Sequence, residues 1–262
     1  MDGTPMQTTE ALPVNYWPQN ACAKAFWGQH ELRPYRRLLA DTVDWVAARR
    51  GEHWLDLGCG CGELTRSIWE KSGGTVAEII ALDCAALNER AIERMRANAK
   101  PRDVDGHIQF VHADFSSGLS QWESDYFDGV TSGLAIQYAE SYQPGRGWTT
   151  DAYDALLREI HRVLRPGGRF VFSVNVPEPS WGIVGLHSVP FVFGSRKPIK
   201  LLKNIMRMWR YGGWLKREAR RGRFHYLPIG DIIDRLEAAG FEGISHRLSF
   251  AKQAYVVRCR KP

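Results

Sequence analysis

The run from Trp54 to Leu64, WLDLGCGCGEL, sets Asp56, three glycines and two cysteines close together behind an apolar stretch. A strand that turns through Gly58, Gly60 and Gly62 into a helix offers backbone N–H groups and the positive end of the helix to a ligand. Glycine suits such a turn because some positions need φ > 0 and because a Cβ would collide with the bound molecule. The chemistry indicated is the holding of a nucleotide-like ligand. A dinucleotide fingerprint reads G-x-G-x-x-G, and here its third glycine falls on Glu63, with Gly62 one place early. Asp56, two residues before the first glycine, would repel a pyrophosphate and suits a cationic ligand. Cys59 and Cys61 supply only half of a zinc site, so no metal is expected. The Cys59 backbone is expected to face the ligand, with Cys61 as a small filler.

Two further carboxylates end strand-like runs. Asp83 closes EIIALD, about twenty residues past the glycines. Asp114 closes FVHAD, with Phe115 beside it. Asp128, at the start of its strand, reads as structural.

The elements that must position these residues alternate. HWLDL, VAEIIALD, HIQFVHAD, YFDGVTS and GRFVFSVNV read as strands. Glu63 to Lys71, Ala85 to Ala99 and about Thr150 to Leu164 read as amphipathic helices between them. This order predicts an α/β fold with a doubly wound, mostly parallel sheet covered on both faces. Late in the chain, PIGDIIDRLEAAGF has a proline start and a glycine stop around an apolar stripe, which predicts a helix. Glu242 to Phe250 and Gln253 to Arg260 follow with so short a link that they must pair antiparallel. Residues 177–227 are too long for an ordinary crossover and are expected to be a basic helical insertion, a lid, within a single domain of residues 1–176 and 228–262. Residues 1–14 are expected to be disordered.

LDLGCGCG resembles the first motif of the class I S-adenosylmethionine-dependent methyltransferases. The likeness continues through Asp83, Asp114, YFDGVTSGLAIQYA and VLRPGGRFVFS, in order and at the family's spacing. The resemblance implies a Rossmann-like fold and S-adenosylmethionine as cofactor. It implies that Asp56, Gly58, Cys59 and Gly60 hold the methionine end, Asp83 and Cys84 the ribose region, and Asp114 with Phe115 the adenine. Ser132 is expected near the cofactor, and Arg33 at the methionine carboxylate, from a covering helix that begins near Phe26.

Methyl transfer from a sulfonium asks the protein mainly to place the acceptor's lone pair and exclude water. A general base is needed only for a hydroxyl or carbon acid. The motifs that resembling enzymes use on exocyclic amines or on cytosine carbon are absent after the fourth strand, where this chain has SGLAIQYAE. A small apolar or amphipathic acceptor is therefore expected, with the accepting atom open. Gln137, Tyr138 and Tyr226 are expected to line its pocket, because ligands sit at the C-terminal edge of such sheets. His225 is the candidate acid/base.

The chain has 262 residues and a formal net charge of +6, yet the charge is local. From Arg196 to Arg223 eleven basic residues face Glu218 alone, so the remainder is mildly acidic. On a helical wheel, Ile199 to Tyr211 places Lys200, Lys203, Arg207 and Arg210 on one side and apolar residues on the other. The expected roles are a lid over the pocket or a peripheral contact with anionic membrane; nucleic acid is not the expected partner. The alternative is a non-catalytic module of the same fold that associates with RNA or a membrane through this insertion. Five scattered cysteines, Cys22, Cys59, Cys61, Cys84 and Cys259, with no secretory leader pattern and no long apolar run, point to reduced thiols and a cytoplasmic setting. The oligomeric state is left open.

Overall fold

The computed structural model describes residues 15–19, 23–24, 26–101, 103–187 and 198–262, with backbone alone for 198–205 and 207–209. The expectations for residues 1–14, Cys22 and the side chains of Lys200, Lys203 and Arg207 lie outside the described residues.

The chain folds as α1 (Arg33–Val46), β1 (His53–Leu57), α2 (Glu63–Lys71), β2 (Glu78–Asp83), α3 (Glu89–Asn98), β3 (Ile108–His112) and β4 (Phe127–Gly133). A small hairpin follows, β5 (Ser141–Gln143) with β6 (Gly147–Thr149), then α4 (Asp151–Val163) and β7 (Leu164–Asn175). The insertion contributes α5 (Trp181–Leu186) and α6 (Pro198–Arg220). The chain closes with α7 (Ile229–Ala238), β8 (Glu242–Ser249) and β9 (Ala254–Arg260). Seven strands form one sheet in the order β3-β2-β1-β4-β7-β9-β8. The five strands from β3 to β7 run parallel, and β9 is antiparallel to both its neighbours. The doubly wound sheet with its antiparallel C-terminal strand is therefore present as expected.

From Trp54 to Leu57 every residue of β1 is buried, as a parallel strand with helices on both faces requires. Leu55 and Leu57 join Leu156, Ile160, Phe170 and Leu236 in one core, and Trp54 joins Val43, Ile68 and Ile79 in the other. Gly129 of β4 makes room for Trp54, since a Cβ there would lie 2.3 Å from the indole ring. Asp128 accepts the His53 N–H at 2.8 Å and pairs with Arg165 at 2.8 Å. It thus ties β4 to β1 and to the start of β7.

Three features depart from the sequence expectation. The β5/β6 hairpin carried no period-2 signal, being three residues per strand. The helix expected from Ala85 begins as a 3-10 turn at Ala86–Asn88. The basic helix does not stop near Tyr211 but runs on through Gly212 and Gly213 to Arg220. Gly212 costs helix propensity, and a Cβ there would sit 2.4 Å from Trp181, so the glycine is what lets α6 lie against α5. Among the described residues no helix is long and apolar enough to cross a membrane.

Candidate functional site

The C-terminal ends of β1, β2, β3, β4 and β7 open into one cavity with about 1130 Å³ of empty space, part of it open to solvent. The reversal of strand order between β1 and β4 places it where open α/β sheets bind ligands.

One half is built from the first three strands. The turn after β1 has φ of +70° at Gly58 and +55° at Gly60. The N–H groups of Gly58 and Cys59 both donate to Leu82 O at 2.9 Å, which locks the turn to β2. A Cβ at Gly58 would lie 2.3 Å from the Ala135 Cβ, whereas one at Gly60 would meet nothing within 4 Å. Asp83 accepts the N–H of Gly60 at 2.9 Å and of Ala85 at 2.8 Å. Burial raises its pKa, and those backbone donors oppose the shift. Asp114 accepts the Ser116 N–H at 2.8 Å and the Asn15 amide at 3.2 Å.

Asp56 lies at the base of this half, 1% exposed. Thr65 donates to its Oδ2 at 2.6 Å, while Oδ1 is buried without a hydrogen-bond partner. Burial pushes its pKa up to about 7, against the Thr65 hydrogen bond and with help from the nearby Asp83. A buried carboxylate with an idle oxygen is costly unless a donor or cation meets it. This set of acceptors therefore fits a ligand with a cationic end and a polyhydroxylated middle.

The other half is aromatic. Trp17, Phe26, Tyr138, Trp181, Leu215 and Asn175 form its walls. Tyr138 packs against Trp17 with ring centres 4.4 Å apart and edge-on to Phe224 at 4.9 Å. Trp17 also donates from its indole to Glu140 at 3.1 Å. Behind this wall Arg223, 3% exposed, pairs with Glu140 at 2.8 Å and lies 4.6 Å from the Trp148 ring centre.

Of the residues singled out in the sequence, Asp56, Gly58, Cys59, Gly60, Asp83, Cys84, Asp114, Phe115 and Tyr138 stand on the cavity wall. Ser132, Gln137, Tyr226, His225 and Arg33 do not. Ser132 is spent donating to Leu57 O at 2.8 Å. Gln137 is fully buried; its side chain accepts the Asn175 N–H at 2.6 Å and donates to Leu134 O at 3.2 Å. Tyr226 sits behind Tyr138, hydroxyl to hydroxyl at 3.0 Å. The expectation that His225 faces the acceptor needs correcting. His225 is 4% exposed, its Nε2 bonds Ala139 O at 2.8 Å, and burial lowers its pKa, so it is a buttress of the turn that carries Tyr138. Arg33 is exposed at the start of α1, and it is Tyr35, two residues on, that reaches the cavity.

His30 Nδ1, Cys61 Sγ and a Glu63 oxygen lie within 4.8 Å of one another. Arg66 already takes the Glu63 carboxylate at 2.5 Å, and burial pushes the Cys61 thiol up to about 12, which holds it protonated. Both effects work against a cation there.

Sequence reasoning missed Trp17, Phe26, Trp27, Asn88, Asn175, Trp181 and Leu215 on the cavity wall. Asn88 accepts the Trp27 indole N–H at 2.8 Å, a contact across 61 positions that no local pattern announces.

Residues 55–172 match the family model described as a methyltransferase domain. Over 141 residues the chain is 28% identical to the ubiquinone/menaquinone biosynthesis C-methyltransferase UbiE of Yersinia pestis, covering 53% of this chain and 49% of that protein. The chain thus spans about half the length of the curated relatives it matches. Among solved structures it resembles the N-methyltransferase NodS of Bradyrhizobium japonicum in complex with S-adenosyl-L-homocysteine (TM-score 0.55, 13% identity, 90% of this chain and 91% of that one). It also resembles the [4+2]-cyclase SpnF (TM-score 0.55, 16% identity, 96% and 87%). The family match over residues 55–172, with the sheet and the glycine turn, supports a methyltransferase domain of the class I S-adenosylmethionine-dependent kind.

Proposed function

We propose that this protein transfers a methyl group from S-adenosylmethionine to a small apolar or amphipathic acceptor. The observation that carries the reading is the division of one cavity into a carboxylate-lined half and an aromatic half. When bound, the cofactor supplies an electrophilic methyl group for in-line displacement. Asp56 is assigned to its ammonium group, the turn from Gly58 to Gly60 to the methionine backbone, Asp83 to the ribose hydroxyls, and Asp114 with Phe115 to the adenine. The idle Asp56 Oδ1 and the open space at Gly60 support the first two assignments.

In the acceptor half the chain's own residues orient the acceptor and exclude water. Burial pushes the Tyr138 phenol up to about 12, so near neutral pH it donates a hydrogen bond and does not act as a base. The described charged residues on the cavity wall, Asp56, Glu63, Asp83 and Asp114, are all acidic. That lining favours neutral acceptors over phosphorylated or carboxylated ones. Incubation with methyl-labelled donor and a cell metabolite extract tests the reading. Label is expected in material that partitions into organic solvent; label confined to anionic, water-soluble products, or absent from all of them, would overturn it.

A peripheral membrane contact is a second reading, favoured by the exposure of Ile183 (41%), Leu186 (70%) and Met206 (62%) on the packed helices α5 and α6. Exposed Arg210 adds charge beside them. The C-terminal part of the basic stretch is less available, since Lys216 and Arg220 pair with Glu178, and Arg221 with Glu218. Cosedimentation with anionic vesicles at low salt is expected, and its loss on Leu186→Asp; failure to bind at low salt contradicts this reading.

A further inference from the structure

Asn175 is fully buried at the C-terminal end of β7 and lines the cavity, and neither Nδ2 nor Oδ1 has a hydrogen-bond partner. An amide in that state is rare, because leaving its polar atoms idle in a dry site costs free energy that folding alone does not recover. Its surroundings are polar only on one side. The hydroxyls of Tyr138 and Tyr226 meet at 3.0 Å beside the Asn175 amide, and burial, outweighing the amide's opposing influence, raises the pKa of both phenols. The remaining wall is Trp17, Phe26, Trp181 and Leu215.

The amide is held in place. Its backbone N–H is fixed by Gln137 Oε1 at 2.6 Å, and the Gln137 carbonyl in turn accepts the His225 N–H at 2.9 Å. Gln137 is therefore a positioning residue for Asn175. β7 lies beside β4, on the far side of β1 from the strands that carry Asp83 and Asp114, so this polar point belongs to the aromatic half of the cavity.

We propose that Asn175 and Tyr138, backed by Tyr226, form a neutral subsite that binds an uncharged oxygen group on a flat, unsaturated acceptor. The inference rests on the methyl-acceptor reading of that half of the cavity and deepens it. An amide and a phenol both donate and accept hydrogen bonds, so a hydroxyl or a carbonyl satisfies them, whereas an anion finds no described basic residue on the cavity wall. A site built around such groups discriminates strongly against an analogue that lacks the oxygen, because its own polar atoms are then left unpaired.

Equilibrium dialysis with protein saturated in S-adenosylhomocysteine tests the subsite. The probes are 2-naphthol, the similarly shaped 2-methylnaphthalene, and 2-naphthoate. The wild type is expected to prefer 2-naphthol to 2-methylnaphthalene by about tenfold, one hydrogen bond's worth, and to bind 2-naphthoate least. Asn175→Ala and Tyr138→Phe should each remove most of that preference, with 2-methylnaphthalene bound at least as well as by the wild type, since the polar atom it would leave unpaired is gone. Should Asn175→Ala disturb the fold, Tyr138→Phe removes a single oxygen and gives the same readout. Equal affinity of the wild type for the two neutral probes, or a preference that survives in both variants, overturns the subsite. Wild-type protein that fails to bind S-adenosylhomocysteine contradicts the donor reading instead.

Discussion

Asp83 Oδ2 accepts the Gly60 N–H at 2.9 Å, so the side chain that ends β2 holds the turn that ends β1. The same carboxylate caps Ala85 through Oδ1 at 2.8 Å. One residue thereby shapes the loop that faces the ligand and remains able to accept ribose hydroxyls through its second lone pairs.

Asp83→Ala should therefore lower donor affinity at least about tenfold and also cost the ligand-free protein about 1–3 kcal/mol, since two backbone N–H groups lose their acceptor. Asp83→Asn keeps one acceptor oxygen and should recover part of the stability without the affinity. Thermal melts and calorimetric titration with S-adenosylhomocysteine separate the two effects. A ligand-free melting temperature unchanged in Asp83→Ala would show that the loop does not depend on it.

The glycine turn offers a sharper contrast. Gly58→Ala must fit a Cβ 2.3 Å from Ala135 at φ +70°, and the fold should suffer. Gly60→Ala meets open space and carries only the strain of φ +55°, about 1 kcal/mol. It should stay folded and lose donor binding, because the new methyl group points where the backbone must approach the ligand. Circular dichroism melts and donor titration on both variants check the split; normal donor binding by Gly60→Ala would contradict it.

Asp56 makes the ligand-free protein pH-sensitive. Its folded pKa is raised to about 7 from an ordinary 3.8, so between those values the folded state holds a proton that the unfolded chain has released. Stability contributed by this group is complete below the unfolded value and is lost as pH rises through 7. Asp56→Asn should flatten that decline between pH 5 and pH 8 in thermal melts. Wild-type donor affinity should rise toward pH 7 as Asp56 ionises to meet the ammonium group. An identical pH profile in Asp56→Asn would remove Asp56 from both roles.

Behind the aromatic wall, burial raises the Glu140 pKa while Arg223 opposes the shift. Arg223→Met should destabilise the protein by about 3 kcal/mol, since it strands a mostly buried carboxylate. Adding Glu140→Gln should restore part of the loss. A double variant no better than the single one, in chemical denaturation, would show that the pair is not coupled.

The sequence carried the strand ends well. Asp56, Asp83 and Asp114 each stand at or just past the end of a strand, buried in β1 and β2 and largely half-buried or exposed in the edge strand β3, and in a parallel sheet those ends meet at one edge by geometry alone. The acceptor half was harder to read. Gln137 and His225 lie within a few residues of the cavity, yet a short 3-10 turn at Ile136–Tyr138 sends Tyr138 to the wall and Gln137 into the core. A period of two or 3.6 does not announce such a turn. Asn175 looked like one more residue of β7, because nothing local shows that its amide lacks a partner. Trp17 reaches Glu140 across 123 positions, which only the folded chain brings together.

Calorimetric titration of the purified protein with S-adenosylhomocysteine and, separately, with NAD tests the central claim most directly. The account predicts saturable one-site binding of S-adenosylhomocysteine, weakened at least about tenfold by Asp83→Ala, and no binding of NAD. Binding of NAD with none of S-adenosylhomocysteine would contradict it.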